Sequence, residues 1–199
     1  MARTSALLAF FVIALLFSYG CTNSAASSNQ KTLDELKDVP ADGDANAHAL
    51  LLETGNSKGN RAPDFTVTTT EGTPLTLSEL TVQKKPVLLY FFASWCPYCK
   101  RDLAVANTVY PLYADKVKLV AVDLDLNENT QLIATYKKNE KHDGMDFAPG
   151  YEKVLQDYGV VYTTTKYAID RNGIILWKGS GEVDDKTWTI LLKGLAEAR

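Results

Sequence analysis

Cys96 and Cys99 flank Pro97 and Tyr98 and follow Trp95 in a chain of 199 residues. At the head of a helix, cysteines at this spacing lie close enough to bridge. The first also sits where unpaired backbone N–H groups and the helix dipole favour an anion. A thiolate is stabilised there, so Cys96 is the expected exposed attacking sulfur and Cys99, one turn further in, the more buried resolving thiol. Exchange then runs through a mixed disulfide on Cys96, which Cys99 displaces. Pro97 suits the first turn because no N–H is required of it there. The same spacing can also be half of a zinc site. No second cysteine pair exists, and the two histidines, His48 and His142, fall in expected loops far from the motif, so no metal is expected. Asp102, one turn beyond Cys99, can take or return a proton as the resolving thiol attacks, and it raises that thiol's pKa by like-charge repulsion. Its alternative is a solvated helix acid paired with Lys100, Arg101 or a later lysine. Tyr98 reads as a surface ring that meets the partner.

The elements that position these residues follow from the pattern. Residues 86–93 form a continuous apolar run with β-branched and aromatic character, which predicts a strand buried on both faces and ending at the motif. A helix over 96–113 follows, bent near Pro111. A second strand at 117–124, helices at 129–139 and 151–158, strands at 167–169 and 174–177 around an Asn172-Gly173 turn, and an amphipathic helix over 187–197 complete the domain. Ahead of the run, 65–70 and 73–77 read as a hairpin, with a helical turn at 78–80. This order predicts an α/β fold, a central mixed sheet covered by helices on both faces.

The domain is expected to begin at residue 61. Residues 1–20 carry a basic Arg3 and an apolar run over 6–19, too short for a span of about 20 residues and suited to a signal peptide. Gly20 before Cys21 resembles a bacterial lipobox, with Cys21 the lipidated residue; Ser18 and Tyr19 match that pattern loosely. Residues 21–60 are rich in Ser, Ala, Asn, Asp and Gly and read as a lipid-anchored flexible tether. The domain is thus expected outside the cytoplasm and at a membrane. The formal net charge of −3 excludes a mainly electrostatic nucleic-acid binder, and three cysteines are too few for a disulfide-stapled scaffold.

Residues 91–100, Phe-Phe-Ala-Ser-Trp-Cys-Pro-Tyr-Cys-Lys, resemble the active-site segment of thioredoxin-fold proteins. The hairpin from Ala62-Pro63-Asp64-Phe65 to Leu80 resembles the N-terminal extension of the extracytoplasmic TlpA-like and ResA-like branch. The resemblance covers about residues 61–199. It implies a membrane-tethered thiol–disulfide oxidoreductase with Cys96 as nucleophile, Cys99 as resolving cysteine, and no cofactor beyond the redox-active pair. It also implies protein thiols and disulfides of the cell envelope as partners and a membrane electron carrier as redox partner. Trp95 matches the aromatic that flanks the site, and Asp102 the position where ResA-like members often carry Glu.

Two positions depart from the family. Tyr90 stands where thioredoxins bury an acid. Thr164 stands where the family has a cis-proline opposite the cysteines, since no proline follows Pro149. A cis bond before a residue other than proline costs about 2.5–4 kcal/mol, so Thr163–Thr164 is expected to be trans, giving the substrate-facing loop a different shape. Trp95, Pro97, Tyr98, Thr163 and Thr164 are the expected substrate-contacting residues. The expected function is reduction of protein disulfides in the cell envelope. Its alternatives are a disulfide oxidase of the same fold, or a non-enzymatic module that uses the pair to hold a metal or a client in the room left by the missing proline.

Overall fold

A computed structural model describes residues 52–198. The signal segment, Cys21, His48 and most of the tether lie outside the described residues. Residues 53–61 close onto the domain: the Gly59 N–H donates to the Ile175 carbonyl at 2.8 Å, and Arg61 bridges Ile174. Packed chain therefore begins ahead of the boundary expected at residue 61.

β1 (Thr66–Thr68) and β2 (Pro74–Thr76) form the antiparallel hairpin, and α1 (Leu77–Val82) follows it. β3 (Val87–Phe92) is buried at every position. It leads into α2 (Pro97–Val109), which tightens into a 3-10 turn at Tyr110–Leu112. Pro111 accounts for that change, because it cannot donate to a continuing α-helical ladder. β4 (Lys118–Asp123), α3 (Thr130–Asn139), β5 (Asp146–Ala148), α4 (Glu152–Asp157), β6 (Thr165–Ile169), β7 (Ile175–Ser180) and α5 (Asp185–Glu197) complete the order. The main sheet runs β5-β4-β3-β6-β7. β3, β4 and β5 are parallel, while β6 lies antiparallel to β3 and β7 antiparallel to β6. This is the thioredoxin fold with the hairpin as a separate small sheet. β5 was not expected: its three residues are too few to show a period, and only its pairing with β4 defines it.

The unbroken apolar run of β3 has a direct explanation in this order. As the central strand it is covered on both faces. Leu88, Tyr90 and Phe92 pack against Leu103 and Ala106 of α2 and Trp188 and Leu192 of α5; Val87, Leu89 and Phe91 face the hairpin, Leu80 of α1 and Val154 of α4. Each such side chain contributes about 1.5–3 kcal/mol by leaving water. Caps set the helix starts. The Asn129 side chain accepts from the Leu132 N–H, and the Asp184 side chain from the Thr187 N–H, which starts α5 ahead of the expected Thr187. At the β6–β7 turn, Asp170 Oδ1 accepts from the Asn172 and Ile174 N–H groups, and Gly173 takes the positive φ of 83° that the turn requires. This packing places the C-terminal end of β3, the start of α2 and the start of β6 side by side.

Candidate active site

Cys96 and Cys99 are joined in a disulfide across the first turn of α2, with their Cα atoms 5.3 Å apart. Cys96 is also the helix cap: its Sγ accepts from the Cys99 N–H at 3.1 Å. The sulfur expected to carry the anion is thus the one that receives a helix N-terminal donor. Its expected exposure does not hold. Cys96 is only 2% exposed, against 0% for Cys99, because the Thr163–Thr164 loop lies over it. The Thr163 hydroxyl lies 3.3 Å from Cys96 Sγ, and in the disulfide form it carries the proton of that contact.

The Thr163–Thr164 peptide is cis, which corrects the expected trans bond. The local cost left out the tertiary environment. Thr164 is buried, its hydroxyl donates to the Gly181 carbonyl at 2.6 Å, and its carbonyl accepts from the Gly181 N–H at 3.1 Å. The loop therefore keeps the cis course opposite the cysteines that the family achieves with proline. It also turns the Thr164 side chain inward, leaving half-buried Thr163 and exposed Tyr162 and Val161 toward the outside.

Thr163 gives a direct test of this contact. A hydroxyl donating to a thiolate is worth about 1.5–3 kcal/mol, or roughly one pKa unit or more. Thr163→Val keeps the branched shape and removes the donor. The Cys96 thiolate is then expected to form about one pH unit higher, read from the pH dependence of its alkylation by iodoacetamide. An unchanged profile would show that the hydroxyl does not serve the thiolate.

Trp95 and Tyr98 are 62% and 60% exposed. The Trp95 indole N–H donates to Asp125 Oδ2 at 2.9 Å, and the Arg101 guanidinium lies 4.9 Å from the Tyr98 ring centroid. Glu128 grips the preceding residue: its carboxylate accepts from the Ser94 N–H at 2.9 Å and from the Ser94 hydroxyl. The β4–α3 loop therefore braces the approach to Cys96. Asp123, Asp125 and Glu128 belong to the site although the motif did not reveal them; a run of acids directly after a buried strand was the available signal. Exposed Trp95, Tyr98 and Tyr162 thus lie close in sequence to the nearly covered Cys96 sulfur and to the Thr163 that touches it.

Asp102 is fully buried, which removes the surface-acid alternative. Lys100 pairs with Glu140 and Arg101 with Glu182. Asp102 Oδ1 accepts from the Trp188 indole N–H at 2.9 Å and the Val183 N–H at 3.1 Å. Its Oδ2 accepts from the Tyr90 hydroxyl at 3.0 Å and pairs with Lys166 Nζ at 2.6 Å. A carboxylate has about four acceptor directions, and all four are engaged. Tyr90, at the place of the absent strand acid, thus serves the acid on α2. Burial and the neighbouring Asp102 charge push the Tyr90 hydroxyl well above its ordinary pKa, so it stays a donor. Lys166 escaped the sequence reading, which began the strand at Tyr167; nothing local links a strand lysine to an acid far away in sequence.

His142 is a core residue. Its ring stacks on Phe147 with centroids 5.6 Å apart, and neither ring nitrogen has a hydrogen-bond partner. Burial lowers its pKa and keeps it neutral. Among the described residues no three His, Cys, Asp or Glu side chains gather as a metal site, and no helix is long and apolar enough to cross a membrane.

Comparison with known proteins agrees with this geometry. Thiol–disulfide oxidoreductase ResA of Bacillus thuringiensis subsp. konkukian is 30% identical over 128 residues, covering 62% of this chain and 70% of that protein. The crystal structure of StoA from Bacillus subtilis matches 66% of this chain and 98% of its own, with a TM-score of 0.54 at 25% identity. A thioredoxin-family thiol:disulfide interchange protein from Chlorobium tepidum shares the fold at a TM-score of 0.62 and 19% identity, over 71% of this chain and 99% of that one. Residues 58–178 match the AhpC/TSA family. With its cysteine pair capping α2 under a cis loop, the chain belongs to the AhpC/TSA family, on the branch that holds the ResA thiol–disulfide oxidoreductases.

Proposed function

We propose that this protein reduces protein disulfides in the cell envelope, held at the membrane through a lipid on Cys21 and recharged by a membrane electron carrier. The observation that carries the reading is the Cys96–Cys99 pair at the N-terminus of α2, with Cys96 Sγ receiving the Cys99 N–H and lying 3.3 Å from the Thr163 hydroxyl. The signal-like leader supports the envelope location, and the ResA relatives support the thiol–disulfide exchange.

In the reduced form the Cys96 thiolate attacks one sulfur of the client disulfide. The client S–S bond breaks, and its leaving thiolate takes up a proton from solvent. Cys99 then gives up its proton and attacks Cys96 Sγ, forming the Cys96–Cys99 disulfide and releasing the second client thiolate. Two electrons pass from the dithiol to the client. The Cys99 proton goes to Asp102, one turn along α2. Of the donors around that carboxylate, the Tyr90 hydroxyl can rotate aside about its C–O bond, whereas the indole and backbone N–H groups are fixed by the fold. Trp95, Pro97, Tyr98 and Thr163 form the client-facing rim, and Thr164 holds the loop.

The test is Cys99→Ala. With the resolving thiol gone, client proteins are expected to accumulate on Cys96 as mixed disulfides, seen on non-reducing gels and absent in Cys96→Ser. The reduction potential of the pair sets the direction: a value near or below about −230 mV belongs with reductases and one near −120 mV with oxidases. Absence of trapped client together with no reversible two-electron couple would overturn the reading.

A further inference from the structure

Lys166 is the one basic side chain among the described residues with no exposure at all. It lies directly beneath the redox helix. Its ammonium has three hydrogens and three acceptors: Asp102 Oδ2 at 2.6 Å, Thr164 Oγ1 at 3.0 Å and the Gly181 carbonyl at 2.6 Å. It also sits 5.1 Å from the centre of the Tyr90 ring and 5.8 Å from that of Trp188. One charge thus joins α2, which carries Cys99 and is capped by Cys96, to Thr164, whose preceding residue touches Cys96.

We infer that Lys166 is a positioning residue for disulfide exchange: it balances the Asp102 charge that Cys99 feels and ties Asp102 to the Thr163–Thr164 loop facing Cys96. The inference rests on the exchange reading above. Residues at i and i+3 of a helix are neighbours on one face, so Asp102 acts on Cys99 at short range. An unbalanced carboxylate there would hold Cys99 protonated and slow its attack. Lys166 cancels that field without itself reaching the sulfur. The charged or titratable groups facing the ammonium are Asp102 on α2, Tyr90 on β3 and, further out, Glu182 after β7, whose carboxylate is engaged by Arg101; α5 contributes the Trp188 ring. Burial lowers the Lys166 pKa, and the Asp102 charge works against that shift.

A charge-balancing role has a signature that a merely structural role lacks. In the reduced full chain, the Cys99 thiol is titrated through its Cβ resonance by NMR. Lys166→Met is expected to raise the Cys99 pKa by about one unit, and Asp102→Asn to lower it by about one unit. The Asp102→Asn, Lys166→Met double variant is expected to return close to the wild-type value. It removes both charges, and replacing a buried pair by uncharged residues of similar size is commonly tolerated, so it remains informative if either single variant folds poorly. At neutral pH, Lys166→Met should also resolve a preformed mixed disulfide between Cys96 and a client about tenfold more slowly, in proportion to the lost Cys99 thiolate. Shifts of the same sign in both single variants, or a double variant displaced as far as either single one, would overturn the inference. Insulin reduction by the wild type is followed alongside. If the wild type reduces no disulfide, the exchange reading fails, whereas an active wild type with an unmoved Cys99 titration sinks the Lys166 role alone.

Discussion

Asp102→Ala is expected to lower folding stability by about 3–5 kcal/mol, the cost of leaving one member of a buried ion pair without its partner. Alanine removes both carboxylate oxygens, so the Lys166 ammonium loses its 2.6 Å partner in a place with no exposure to water. The Trp188 indole N–H, the Val183 N–H and the Tyr90 hydroxyl lose their acceptor at the same time. An orphaned buried donor costs about 1–3 kcal/mol by itself, but these groups share one network, so the costs do not add. The measurement is urea unfolding of the wild type and the variant. The midpoint should fall with little change in slope, since the surface exposed on unfolding is nearly the same. Adding Lys166→Met to Asp102→Ala should recover the part of the loss due to the unpaired charge, while the orphaned Trp188, Val183 and Tyr90 donors keep theirs. A loss below about 1 kcal/mol would mean that water reaches the pair.

This cluster also shows where the sequence was informative and where it was not. The β3 run and the Cys96-x-x-Cys99 motif are local signals, and they placed the strand, the helix start and the redox pair correctly. Asp102 was legible as a candidate from helical spacing alone, but its burial was not. Burial depends on α5 folding back so that Trp188 covers it, a contact across 86 residues. Lys166 and Tyr90 meet Asp102 only because β6 pairs beside β3, Tyr90 opposite Lys166. The residue pattern of either strand alone contains nothing of that register.

The expectation of a trans Thr163–Thr164 bond failed for a related reason. A peptide's isomer reads locally as a preference for trans unless proline follows. Here the loop is held by Gly181, remote in sequence, and by Lys166, which the Asp102 carboxylate of α2 fixes in place. Cys96 is less open than a helix N-terminus suggests because the same loop closes over it. What could be read was the chemistry of the pair; what could not was the enclosure, which arises from the crossing of α2, β6 and the segment after β7.

Asp123→Asn is expected to stabilise the protein by an amount that grows with pH and reaches a few kcal/mol in alkaline solution. Asp123 ends β4 with no exposure. Its Oδ1 accepts from the Asp125 N–H at 2.9 Å, and its Oδ2 has no hydrogen-bond partner. Burial, reinforced by the carboxylates of Glu128 and Asp125, pushes its pKa up to about 8. In the unfolded chain the same group ionises near pH 4. Below that pH both states hold the proton and the group is neutral in the balance. As pH rises from about 4 to about 8, the unfolded state releases its proton while the folded state keeps it, so stability falls by up to about 1.4 kcal/mol per pH unit. Above about 8 the loss levels off, and a second negative charge stands beside Glu128, whose carboxylate holds Ser94 just before the redox pair. Asparagine keeps an acceptor for the Asp125 N–H and never ionises, so its stability should lack this decline. Urea unfolding at pH 5 and pH 9 measures the difference: the two proteins should lie closer at pH 5 and clearly apart at pH 9. Parallel pH profiles would show that Asp123 is ionised in the fold at ordinary pH. The wild type should also lose exchange rate above pH 8 relative to Asp123→Asn, because the loop that braces Trp95 and Ser94 is the part of the site the new charge would loosen.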